Sequence, residues 1–305
     1  MMAKRLKVVC ILGPTCAGKS DLALWLAPKI GGEIVNSDSM QAYKHFDIGT
    51  AKPDAAARTQ TRHHLIDVIE PDEAFHAARF QTMADEVIWE ITARGSVPLV
   101  VGGTGLYLRV LFHGIFEAPS DADLRDKLKS RYREDPVATY GDLERLDPPY
   151  ARSISPHDRA RVVRALEICR LSGTSMSELC LAHGFRDERY DVCKIGLRRE
   201  RAELYERIER RIDLMLSRGW MEEVQGLLRR WPLSVRPFRG IGYREIALCL
   251  TGCIGHEEMV RRIKISTRRY AKRQFTWFAK EKDIKWHRYP EDGDAILEKI
   301  GDFLS

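Results

Sequence analysis

The residues best placed to do chemistry stand near the start of the chain. Gly13-Pro14-Thr15-Cys16-Ala17-Gly18-Lys19-Ser20 follows the apolar run Val8-Val9-Cys10-Ile11-Leu12 and leads into the helix-forming stretch Ser20 to Ala27. Glycines in this spacing let backbone N–H groups converge on phosphate oxygens, a lysine adds a point charge, and the final hydroxyl is a ligand for Mg²⁺. The following helix turns its positive dipole end toward the same anion. Ser20 is therefore the candidate metal ligand. Two other strand ends should meet this loop. Glu33-Ile34-Val35-Asn36 delivers Ser37-Asp38-Ser39-Met40-Gln41, and Val97-Pro98-Leu99-Val100-Val101 delivers Gly102-Gly103-Thr104-Gly105. Ligands of open parallel sheets sit at the carboxyl ends of the strands, so Asp38 and Thr104 are expected at the crevice that holds the phosphate. The plainer role for Asp38 is to cap a turn or a helix.

The elements that must position these groups follow from pattern. A strand is expected over His63-His64-Leu65-Ile66-Asp67-Val68-Ile69, where adjacent histidines point to opposite faces and so make poor joint metal ligands. Phe80, Met83, Val87, Ile88 and Ile91 recur at helical spacing before Gly95. From Pro119 to about Gly184 the texture becomes charged and turn-punctuated, which predicts an inserted helical subdomain over 119–184 between core segments 1–118 and 185–305. Tyr190 to Leu197 returns to the sheet, and Leu204, Ile208, Ile212 and Met215 mark another helix. A glycine-hinged loop follows at Arg236 to Glu245. Glu257 to Lys282 then reads as one long basic helix with Met259, Ile263, Tyr270 and Phe275 inward. The expected fold class is α/β: a parallel sheet carrying a P-loop, flanked by helices.

Composition narrows the partners. The chain has 305 residues, 44% hydrophobic and 31% charged, with no apolar run near the ~20 residues a membrane helix needs. Met1-Met2-Ala3-Lys4 leads straight toward the first strand, leaving no room for a signal peptide. Seven cysteines without a CxxC pair fit reduced thiols and a cytoplasmic location. Residues 1–150 carry 18 basic and 21 acidic side chains, and residues 151–305 carry 32 and 23, so the halves differ in sign at −3 and +9. Between His256 and Arg288 there are 11 basic and 4 acidic residues. A basic face of this size suits a nucleic acid, whose condensed counterions are released on binding.

These residues leave two chemistries open: transfer of a phosphoryl group, as in small-molecule kinases, or transfer of the carbon group that a diphosphate leaves behind. Resemblance discriminates between them. Besides Gly13 to Ser20, the chain contains Ser37 to Tyr43, Asp47-Ile48-Gly49-Thr50-Ala51-Lys52-Pro53, His63 to Asp67, Val101 to Tyr107, Arg161 to Glu167, Gly240 to Glu245 and Tyr270 to Phe278. In these ordered blocks it resembles the tRNA dimethylallyltransferases (tRNA isopentenyltransferases), of bacterial type. Departures are small: Cys16-Ala17 stands where Ala-Ser is usual, Ser20 where Thr is common, and Ser155-Pro156-His157-Asp158 replaces His-Pro-Asn-Asp.

The resemblance implies transfer of a dimethylallyl group from its diphosphate to N6 of the adenine on the 3′ side of the anticodon, in tRNAs reading codons that begin with U. It implies Mg²⁺ with the loop Gly13, Pro14, Thr15, Cys16, Ala17, Gly18, Lys19 and Ser20 on the diphosphate, and catalytic roles for Asp38, Thr104 and Arg239. Asp38 would accept the amine proton only as positive charge grows on nitrogen, because an aspartate is too weak a base to remove it beforehand. tRNA contacts are implied at Asp38, Ser39, Met40, Gln41, Thr104, Arg125, Ala160, Arg161, Val162, Val163, Arg164, Arg239, Gly240, Ile241, Gly242, Tyr243 and Arg244. They continue at Lys272, Arg273, Gln274, Phe275, Thr276, Trp277, Phe278 and Ala279. A monomer is expected, with the target base flipped out of its loop. The competing expectations are a prenyltransferase acting on free adenine nucleotides, a nucleotide-dependent kinase, and an RNA-binding protein with a vestigial P-loop.

Overall fold

The computed structural model describes residues 5–281 and 283–305; Met1 to Lys4, and Lys282 at the expected end of the basic helix, lie outside the described residues. Strand β1 (Lys7–Leu12) is apolar and buried from Val8 onward because both of its faces are covered. Val8, Cys10 and Leu12 enter one core and Val9 and Ile11 the other, as the two-residue period of a strand requires. The second of these cores is closed by α1 (Lys19–Ile30) and α14 (Gly293–Leu304), through Leu22, Leu26, Ile296 and Ile300. The larger one receives α3 (Ala77–Ala93), α4 (Gly105–His113), α10 (Arg201–Ser217), α11 (Trp220–Arg230), α12 (Tyr243–Leu250) and α13 (His256–Phe278).

Among the described residues the sheet has six strands in the order β3-β2-β4-β1-β5-β6, every pairing parallel. The other strands are β2 (Gly32–Asn36), β3 (His63–His64), β4 (Val97–Gly102), β5 (Asp191–Leu197) and β6 (Lys285–His287), and β1 pairs directly with β4 and β5. This is the α/β fold expected from sequence. The chain order reverses between β1 and its neighbours β4 and β5, so the carboxyl end of β1 lies at the crevice such a reversal opens.

Two expectations fail locally. The strand over His63 to Ile69 stops at His64, because Leu65 (φ 60°) and Asp67 (φ 57°) adopt left-handed backbone. The peptide turns so that Leu65 O accepts from Asn36 Nδ2 (3.1 Å) while the Asp67 carboxylate meets Lys52 (2.5 Å) and Arg58 (2.9 Å). These ion pairs hold the Asp67 carboxyl below the usual range against the opposing effect of burial. The second failure is the phase of α13, whose inward residues at its C-terminal end are Ala271, Gln274 and Phe278. Phe275 instead stays 48% exposed and leans on Trp286.

Residues His113–Asp187 form a second compact unit. It contains α5 (Ala122–Glu134), α6 (Pro136–Leu146), α7 (Pro148–Ser153), α8 (Arg159–Ser172) and α9 (Met176–His183). Each helix starts at a capping side chain, Asp121, Asp135, Asp147, Asp158 or Ser175, that accepts a first-turn N–H, which explains how so charged a stretch forms helices. Its core includes Leu128, Leu143, Val162, Val163 and Leu166. Glu167 is fully buried on α8 and accepts from Arg125, Arg164 and the Asp121 amide. Those donors hold its carboxyl below the usual range against the effect of burial.

Candidate active site

The turn between β1 and α1 forms the phosphate cradle. Gly13 has φ 141°, and a side chain there would place its first carbon 2.5 Å from Leu197 O, so only glycine lets the chain leave β1 beside β5. Three arginines take up the outer side of the loop. Arg199 Nε donates to Ala17 O (3.3 Å), Arg207 Nε to Cys16 O (3.0 Å), and Arg211 Nη1 to Cys16 Sγ (3.8 Å). Arg199 and Arg207 also meet Glu203 and Asp21. Arg211 has no carboxylate partner among the described residues and lines the cavity above the loop, so its charge remains available to an anion.

Lys19 Nζ donates to Gly13 O (3.0 Å) and Pro14 O (2.8 Å). Its pKa is pushed down to about 8, first by burial, with Asp38 opposing the shift and Arg211 adding to it. An arriving anion reverses that balance. Diphosphate beside the ammonium raises the lysine pKa, so binding takes up a proton wherever the free lysine is already neutral. Affinity for a diphosphate monoester should therefore be constant from pH 7 to about 8. Above it, affinity should fall by up to about tenfold per pH unit. Titration calorimetry between pH 7 and 9 checks this: Lys19→Arg should flatten the profile, and a flat profile in the unaltered chain would contradict it.

Asp38 is held at the end of β2 by its neighbours. Asn36 Oδ1 accepts from Asp38 N (3.1 Å), and Asp38 Oδ1 accepts from Met40 N (2.9 Å). The carboxylate thus caps a turn, as the plainer expectation had it, and also lines the cavity that contains Lys19, Ser20 and Arg211. Thr104 stands one step back. Its Oγ1 accepts from Ser39 N (3.3 Å), so it braces the Asp38 turn, and it is not among the residues lining the cavity. The cavity is about 370 Å³ and combines charged and apolar walls, Met40, Ile208, Ile212 and Ile241 among the latter. The adjoining loop hangs on Glu223, which accepts from the amides of Asp47 (3.0 Å), Ile48 (2.7 Å) and Gly49 (3.4 Å) and from the Tyr243 hydroxyl (2.7 Å). Burial first, then Glu223, pushes the Tyr243 hydroxyl pKa up.

Of the other residues singled out from sequence, the structure brings Thr15, Cys16, Ser39, Gln41, Arg239, Gly240 and Arg273 to this cavity. Lys272, Arg273, Thr276 and Ala279 are exposed on or beside α13, as is Arg244 on α12. Several of these side chains are buried in a core, although Tyr243 and Gln274 also line the cavity. Val162 and Val163 belong to the core of the helical unit, Phe278 and Tyr243 to the larger core, and Gly242 is packed against Trp220. Trp277 is half-buried, packed against Gly105 with Arg109 over its ring. Arg125 and Arg164 are committed to Glu167, while Ala160 and Arg161 are exposed at the start of α8. Gln274 points inward, its Oε1 accepting from Thr15 N (2.8 Å) and its Nε2 donating to Gly103 O (2.9 Å).

Sequence reasoning passed over Arg211 and Glu223. The available signal for Arg211 was its place beside the inward pair Ile208 and Ile212, four residues after Arg207. No comparable local signal marks Glu223, whose partners are more than 170 residues away except for Tyr243.

A family model described as IPP transferase matches residues 41–281. The tRNA dimethylallyltransferase of Anaeromyxobacter dehalogenans is 44% identical over 97% of this chain and 99% of its own length. The tRNA dimethylallyltransferase 1 of Pelobacter propionicus is 47% identical over 95% of each. Among solved structures, the full-length tRNA isopentenylpyrophosphate transferase of Bacillus halodurans superposes with a TM-score of 0.74 at 36% identity, covering 98% of this chain and 96% of that one. A eukaryotic dimethylallyltransferase acting on tRNA gives 0.84 at 32%, covering 98% and 79%. With the family model matching residues 41–281 and relatives 44–47% identical over nearly the whole length of both chains, this chain belongs to the IPP transferase family.

Proposed function

We propose that the chain transfers the dimethylallyl group of dimethylallyl diphosphate to N6 of the adenine on the 3′ side of the anticodon, releasing diphosphate. The observation that carries this is the meeting of an anion cradle and a carboxylate at one cavity whose rim includes Arg239 and Arg273. In the reaction the allylic C–O bond breaks, a C–N bond forms, and the amine proton goes to Asp38. Lys19, Arg211 and the loop amides stabilise the negative charge that develops on the departing diphosphate. Asp38 needs only to accept the proton as nitrogen becomes cationic. An allylic carbon with cationic character is open to attack by water, so the RNA itself must close the cavity.

The residues present fit Mg²⁺. The Ser20 hydroxyl is exposed at the start of α1 and lines the cavity. No cluster of three or more His, Cys, Asp or Glu side chains suited to a metal exists among the described residues. An ion held at Ser20 would keep waters and substrate phosphates as most of its ligands. Bound there, Mg²⁺ would supply charge neutralisation to the diphosphate. The reading makes the chain a cytoplasmic monomer. No described helix is long and apolar enough to cross a membrane.

RNA contact is assigned to the outer face of α13, with Ala160 and Arg161, exposed at the start of α8, as further candidates. Arg268 is excluded from the main contact because it is paired with Glu209 and packed over Tyr205. Reversing Lys272 and Arg273 to glutamate should weaken tRNA binding and lower the slope of log K against log salt by about 1 per residue. An unchanged slope would leave this face merely solvated. The function itself is tested by incubating labelled dimethylallyl diphosphate with tRNA, with AMP, and with no acceptor. Label on tRNA alone is expected; label on AMP alone would move the chain to the nucleotide prenyltransferases.

A further inference from the structure

We infer that Gln274 is a positioning residue through which RNA binding on α13 prepares the phosphate loop. The inference rests on the RNA face proposed above. Gln274 occupies a position that helix periodicity gives to the core, and it is 6% exposed. An apolar side chain would satisfy the packing there. The amide instead joins two turns distant in sequence: the cradle through Thr15 N–H, 259 residues away, and the end of β4 through Gly103 C=O, 171 residues away. Its donor and acceptor are thus both engaged.

The joint has no slack. A first side-chain carbon at Gly103 would lie 2.2 Å from Gln274 Nε2 and 3.2 Å from Gly13 O, so the two turns and the amide fill the space between them. One helical turn earlier, Tyr270 lies beside the side chains of Thr104 and Gln274, and Thr104 Oγ1 in turn accepts from the Ser39 amide next to Asp38. From a single helix, two side chains therefore reach the cradle, the β4 turn and the Asp38 turn. The residues immediately before Gln274, Lys272 and Arg273, stand on the outer face of the same helix.

RNA seated on that face restrains α13, and Gln274 passes the restraint to the Thr15 amide. The loop then has less freedom to lose when diphosphate arrives, which makes the two binding events favour one another without any large displacement. Linkage requires the effect to be reciprocal. Apolar replacement of the amide leaves Thr15 N–H and Gly103 C=O unpaired, and the two surfaces become independent.

The test is the affinity of the full chain for inorganic pyrophosphate, by calorimetry, with and without saturating anticodon stem-loop RNA. RNA should tighten pyrophosphate binding by about 5- to 150-fold in the unaltered chain, the usual range of such coupling. In Gln274→Met, which keeps length and packing but loses both hydrogen bonds, the factor should fall to within about twofold of one. If circular dichroism shows that variant unfolded, Gln274→Glu carries the test, since it keeps an acceptor for Thr15 N–H and loses the donor to Gly103; its coupling should be smaller than that of the unaltered chain. Equal coupling in a folded variant, or none in the unaltered chain, overturns the inference. When the unaltered chain still prenylates tRNA, that outcome leaves the proposed function standing; failure to bind RNA at all removes both.

Discussion

Replacing Asp38 by Asn should lower the single-turnover rate of prenyl transfer by about 10² to 10⁴, the usual contribution of a general base. The substitution isolates chemistry from structure. Met40 N–H bonds Asp38 Oδ1, and an asparagine carbonyl can accept the same bond, so the turn at the end of β2 survives. Asn36 continues to hold the backbone on both sides, through Oδ1 to Asp38 N and Nδ2 to Asp38 O (3.2 Å). The other carboxylate oxygen becomes an NH₂ group that cannot take a proton. Filter binding should accordingly show tRNA still captured, and rapid-quench measurement should show the chemical step slowed. A near-normal single-turnover rate would remove Asp38 from the role of base.

The second large effect is expected at Lys19. Lys19→Ala should reduce turnover by about 10² to 10³, the cost of removing one preorganised donor to a developing anion, and raise KM for dimethylallyl diphosphate. Arg211 and the loop amides remain, so the loss should stay well short of complete. The lysine also donates to Gly13 O and Pro14 O, so part of the effect is loop geometry. Lys19→Arg separates the two contributions: it keeps a charge in place and should recover more of the KM than of the rate, since a guanidinium does not match the point charge of an ammonium. Steady-state kinetics with both substrates varied gives the answer, and a rate within tenfold of the unaltered chain for Lys19→Ala would contradict the assignment.

How much was legible in the sequence depended on the range of the interaction. The β1 strand, the glycine loop and α1 are local: an apolar run buried on both faces, a turn that needs Gly13, and a helix begun after Gly18. The capped helices from Asp121 to His183 are equally local, each marked by an aspartate or serine in front of it. What could not be read comes from partners far along the chain. Nothing around Leu65 says that it will adopt φ 60°; the turn is fixed by Asn36 and by Lys52 pulling on Asp67. The phase of α13 was misjudged for a related reason. Phe275 is the obvious apolar residue in that turn, yet Gln274 is taken inward because Thr15 N–H and Gly103 C=O wait there. Arg211 and Glu223 were missed because each becomes informative only when the fold sets it beside a loop more than 170 residues earlier.

The most direct measurement is the mass of an anticodon stem-loop fragment after incubation with the full chain, Mg²⁺ and dimethylallyl diphosphate, followed by fragmentation to locate any added mass. A gain of one five-carbon unit on the adenine 3′ to the anticodon is expected, with release of diphosphate. RNA of unchanged mass beside consumed diphosphate donor, or a gain on another nucleotide, would contradict it.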